Sequence, residues 1–73
     1  MRNKGGHMYK LTIEYGNKRV TLSFDSVVAA KSEMWRKISA MVELGAIDDR
    51  HLVYHRDSLH VSCDDWFWSV DAA

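Results

Sequence analysis

The chain has 73 residues, of which 47% are apolar and 11% aromatic, with ten Lys and Arg balanced by ten Asp and Glu and a single cysteine. That length allows one domain, and the neutral balance excludes the overall basic character usual in polyanion binders. One cysteine excludes an internal disulfide, which makes a reducing, cytoplasmic setting the expectation.

Met1 to His7 shows no hydrophobic pattern, and His7-Met8 is a dipeptide often left by a cloning site. Residues 1–7 therefore read as a cloning leader, residues 8–70 as one small α+β domain, and residues 70–73 as a vector-derived tail. Between Met8 and Ser69, eight Lys and Arg meet nine Asp and Glu. No apolar run reaches the length of a membrane span, no secretory leader is visible, and no repeat or low-complexity stretch occurs.

Tyr9, Leu11, Ile13 and Tyr15 alternate with Lys10, Thr12 and Glu14, the period of a half-buried strand. Val20, Leu22 and Phe24 alternate in the same way with Arg19, Thr21 and Ser23. Gly16-Asn17 between them suits a two-residue hairpin, since both residues tolerate positive φ. Closing that loop sets Ile13 opposite Val20, Leu11 opposite Leu22 and Tyr9 opposite Phe24. The other face then pairs Glu14 with Arg19 and Thr12 with Thr21, both favourable cross-strand pairs.

Asp25 or Ser26 next offers an N-cap oxygen. Val27, Val28, Met34, Trp35, Ile38, Met41 and Val42 follow at helical spacing, and Glu33 with Lys37 is a supportive pair one turn apart. Gly45 stands where a left-handed cap is expected, so the helix should run from about Ser26 to Leu44. After residues 46–50 the period returns to two. Leu52 and Tyr54 should face the core, opposite Cys63 and Val61, while His51, Val53 and His55 face outward and His55 meets His60. Asp57-Ser58 is the turn of this second hairpin.

The expected fold is a β-β-α-β-β two-layer sandwich, in which one amphipathic helix covers one face of a four-stranded antiparallel sheet. Asp64-Asp65 should break the last strand, because continued alternation would turn Asp65 inward. That leaves Trp66, Phe67 and Trp68 as an aromatic tail, with Trp66 structural and Trp68 partly exposed.

No catalytic, cofactor-binding, metal or phosphate-binding motif stands out. His51, His55 and His60 match no established ligand spacing, so they read as solvated side chains and no metal or cofactor is expected. Cys63, Ser58 or Ser62 beside a histidine would need an orienting group and a water-excluding cleft, for which four strands and one helix leave little room. Cys63 reads instead as a small buried hydrophobe, and no small-molecule substrate is expected.

A domain of about 60 residues buries only about 60% of its unfolded surface, so three adjacent aromatics are hard to hide. The expectation is thus a non-enzymatic protein-binding module, a homodimer included, that uses Trp66, Phe67 and Trp68 and acts by surface occupation. Such small domains commonly serve phages and mobile elements as accessory or inhibitory proteins. The alternative is a nucleic-acid-binding regulator using the edge formed by Lys10, Lys18 and Arg19. It is disfavoured because the open sheet face shows no exposed aromatic on which a base could stack.

Overall fold

The computed structural model describes residues 8–55 and 57–73; the expected leader at 1–7 lies outside them, as does Arg56. In chain order the elements are β1 (Tyr9–Tyr15), β2 (Lys18–Phe24), α1 (Val27–Glu43), a 3-10 turn (Asp49–His51), β3 (Val53–His55), β4 (His60–Cys63) and β5 (Trp66–Ala72). All strand pairs are antiparallel and form one sheet in the order β2-β1-β5-β4-β3. The expected α+β class holds. The strand count does not, because the sheet has five strands.

The first hairpin follows its side-chain alternation residue for residue, from Tyr9 opposite Phe24 to Tyr15 opposite Lys18. Of the two turn residues only Gly16 takes positive φ, at +60°, as in a hairpin turn with glycine in its first central position. Arg19 and Glu14 approach to 3.4 Å across the ladder.

Ser26 is the helix N-cap, its Oγ accepting the Ala29 N–H at 3.0 Å. At the other end Gly45 sits at φ +78°. Its N–H donates to the Val42 carbonyl and that of Ala46 to the Met41 carbonyl, the paired bonds of a Schellman cap. Ala30, Met34 and Ile38 are the buried helical residues, spaced one turn apart. Val28, placed on the stripe by its apolar character, is instead 70% exposed, because one residue's rotation beyond Val27 carries it off the sheet-facing side.

The second hairpin pairs Tyr54 with Val61 and His55 with His60 as expected. Asp57 and Ser58 both take left-handed φ, 57° and 65°. Leu52 does not pair with Cys63, since β3 begins one residue later. The Asp48 carboxylate accepts the Arg50 N–H at 2.9 Å and caps the 3-10 turn, which diverts this stretch from the ladder.

The largest correction concerns the tail. Asp64-Asp65 forms a two-residue turn, with Asp64 at φ 54°, and Trp66–Ala72 returns as the central strand between β1 and β4. Ile13 and Val61 flank Trp68, and Leu11 pairs with Val70. Trp68 is 0% exposed, so the expected partial exposure is overturned, whereas Trp66 is half-buried. The stretch 70–73, read as a tail, supplies buried Val70 and pairs Asp71 and Ala72 with Lys10 and Tyr9.

Trp68 also carries a cost, because its buried Nε1–H meets no acceptor among the described residues. An unpartnered donor costs about 1–3 kcal/mol. Burying 150–250 Å² of ring at about 25 cal/mol per Å² returns roughly 4–6 kcal/mol, so the ring wins.

Trp68→Ala should therefore lose about 3–5 kcal/mol, close to the whole stability of a domain this small. Trp68→Phe, which also removes the orphan donor, should cost clearly less, and Val28→Ala under about 0.5 kcal/mol. Urea unfolding of the three variants checks that order. Equal losses for Trp68→Ala and Val28→Ala would overturn the central placement of Trp68.

Candidate protein-binding surface

Alternation along β5 sends Trp66, Trp68 and Val70 to the helix side of the sheet and Phe67, Ser69 and Asp71 to the open side. The three tail aromatics are thereby separated. Trp68 is core, Phe67 lies on the open face with its ring edge-on to His60 at 5.7 Å, and Trp66 stacks between two neighbours. Its indole lies 4.3 Å from Tyr15, its cross-strand partner, and 5.8 Å from Trp68. The stack runs from core to surface, ending at Tyr15, which is 46% exposed.

Around that outer end lies a groove of about 200 Å³ lined by Ile13, Tyr15, Lys18, Arg19, Val20 and Trp66. No residue of α1 belongs to it, so the helix-side face of the sheet is left uncovered at the Gly16-Asn17 end. Val20, on the floor of that region, is 55% exposed. The Lys18 and Arg19 stems add carbon to the walls while their charged ends stay in water. Tyr15, Val20 and Ile13 were legible as inward-facing residues of the hairpin. That they would gather around Trp66 required knowing that β5 pairs with β1.

A second cleft, about 310 Å³, runs between α1 and the β3 edge and includes Trp35, Leu52 and Tyr54. Trp35 is half-buried there, 5.6 Å from the Tyr54 ring.

The cationic edge does not converge. Lys10 and Arg19 share the open face but lie four residues apart along the ladder, about 13 Å at about 3.3 Å per residue. Arg19 is paired with Glu14, Lys10 stands opposite Asp71, and Lys18 points to the helix side. The open face does hold one aromatic, Phe67, contrary to the sequence reading.

Two of the three described histidines are engaged, each with its own carboxylate, and His55 is exposed. His51 Nδ1 lies 3.3 Å from the Asp64 carboxylate, and His60 Nε2 lies 3.0 Å from Asp71 Oδ1. Among the described residues no three His, Cys, Asp or Glu converge as metal ligands, and no histidine bonds to a serine or to Cys63. Cys63 is buried, its Sγ 3.6 Å from the Asp48 carbonyl oxygen. Burial first and the neighbouring Asp64 charge second push its thiol above its ordinary value. The Arg50 guanidinium and N–H hold the Asp48 carboxyl below its ordinary value.

Comparison with protein-family models, with curated proteins and with solved structures finds no match to this chain. No described helix is long and apolar enough to cross a membrane.

Two outcomes follow for these side chains. A raised thiol pKa favours the protonated form, so its contribution to stability is complete below the ordinary value of 9.0 and is lost as pH rises beyond it. Native Cys63 should resist iodoacetamide near pH 8 and react only in denaturant, with mass spectrometry as the readout; rapid native alkylation would contradict its burial. Zinc or a chelator should leave the Tm unchanged, since a ligand held only by the native state would raise it.

Proposed function

We propose that this chain is a small non-enzymatic protein-binding module of the cytoplasm, an accessory or inhibitory protein that acts by occupying a partner's surface. One observation carries the reading: the groove formed by Ile13, Tyr15, Val20 and Trp66 stays open to solvent on a domain too small to waste apolar surface. Tyr and Trp are also the residues most enriched at interface hot spots.

The groove's chemistry suggests what it takes. Its floor is apolar and its rim carries Lys18, while Arg19 is held by Glu14, which favours a partner segment presenting an apolar side chain beside a carboxylate. Burying one such side chain is worth about 1.5–3 kcal/mol, or roughly 10- to 150-fold in affinity. The groove is therefore an anchor, and a stable complex needs contacts beyond it. The raised, buried thiol of Cys63 supports a module without nucleophilic chemistry, and a free cysteine suits the reducing cytoplasm. The nucleic-acid alternative has less support, because Lys10, Lys18 and Arg19 are divided between two faces and Arg19 already holds Glu14.

A photo-crosslinking amino acid in place of Val20 in producing cells should give a discrete protein adduct that Tyr15→Ser abolishes. Val20 is more than half exposed and Tyr15 nearly so, and the fold should survive both changes, with Tyr15→Ser losing about 0.5–1.5 kcal/mol of stacking on Trp66. No adduct, or one that nuclease removes, would defeat the reading.

A further inference from the structure

The two edges of the sheet are unlike. β3 has only three residues, and short edge strands are poor templates for pairing. β2 has seven, contains no proline, and keeps an uninterrupted register against β1. Nothing in its backbone blunts it.

The groups it presents can be worked out. A two-residue loop makes Tyr15 and Lys18 a hydrogen-bonded pair, and alternation then makes Ile13–Val20, Leu11–Leu22 and Tyr9–Phe24 the others. The N–H and C=O groups of Arg19, Thr21 and Ser23 consequently point away from β1, along the free edge.

We propose that this edge pairs antiparallel with β2 of a second copy, across a twofold axis through Thr21. This rests on the binding-module reading, since it takes the same end of the molecule as the working surface and names one occupant. Thr21 then faces Thr21 of the second copy, and Arg19 faces its Ser23. Only this register pairs all three outward residues of each copy within the two strands. A register centred on Val20 would set Ser23 against the Gly16-Asn17 turn.

Side chains and charges agree with it. On the helix side Val20, more than half exposed in one copy, meets Leu22. On the open side the threonines form a favourable pair. β2 begins with Lys18-Arg19 and is followed by Asp25, so the antiparallel arrangement brings the cationic start of one strand to the acidic end of the other. A parallel pairing would stack Lys18-Arg19 on itself. One seven-residue edge is a small contact, so the dimer should be concentration-dependent.

Sedimentation velocity of the full chain over a wide concentration range tests this. The parent should show a monomer–dimer equilibrium. Thr21→Lys places two ammonium groups at the axis, and Thr21→Pro removes the central donor while sparing the ladder to β1. Both should weaken association at least about tenfold (about 1.4 kcal/mol), with far-UV circular dichroism unchanged; should the proline variant unfold, Thr21→Lys decides. A parent monomeric at every concentration, or a dimer that persists in Thr21→Lys, overturns the pairing. A monomeric parent that still gives the Tyr15-dependent adduct overturns the twofold pairing alone and leaves the binding module standing.

Discussion

Trp68 and the strand that carries it connect what would otherwise be two separate hairpins. β1 and β4 are not neighbours; each pairs with β5, which lies between them. An isolated two-stranded hairpin is marginal in water, so neither half of this sheet would persist on its own. By inserting Trp68 between Ile13 and Val61, β5 gives both hairpins a common ladder. It also gives α1 a core to pack on, since Ala30, Met34 and Ile38 belong to the same buried cluster. The indole N–H, which has no acceptor among the described residues, shows how far the balance tilts toward packing a large ring at the centre.

The exposed surface follows from that arrangement. Placing Trp68 in the core sets Trp66 two residues earlier on the same face, and the pairing of β5 with β1 brings Tyr15 against it. One stack of rings therefore serves two ends, stability inside and an apolar groove outside. Phe67 is excluded from both by alternation and meets His60 on the opposite face. Three adjacent aromatics thus have three different environments, and a single role cannot be given to the run.

The edges divide in a comparable way. β3 is cut short where Asp48 caps the 3-10 turn, a local hydrogen bond that competes with the ladder. β2 has no such competitor and runs straight from the Gly16 turn to the Ser26 cap. The groove and the long free edge meet at the same hairpin, where Tyr15 and Val20 are exposed; Val53 and Tyr54 on the short β3 edge, Val28 on the helix and Leu44 at its end are exposed apart from them.

Much of this was legible in the residues themselves. The register of β1 on β2, the Ser26 and Gly45 caps and the pairing of Tyr54 with Val61 are local, fixed by alternation, by one side-chain oxygen and by one left-handed position. β5 was not legible in the same terms. Phe67, an apolar residue on the open face, interrupts the alternation between Trp66 and Trp68, and Asp64-Asp65 before Trp66 resembles a terminator as much as a turn. The apolar run, Trp66 through Val70 broken only by Ser69, was the signal available. What the sequence by itself determined was the first hairpin, the helix with its caps and the Tyr54–Val61 pairing. The turn from β4 into β5 is equally local but was hidden by Asp64-Asp65, two residues that also suit a strand end. Only the tertiary structure decided which of Trp66, Phe67 and Trp68 is core, because that depends on β1, some fifty residues away, and local periodicity carries no information about so distant a neighbour.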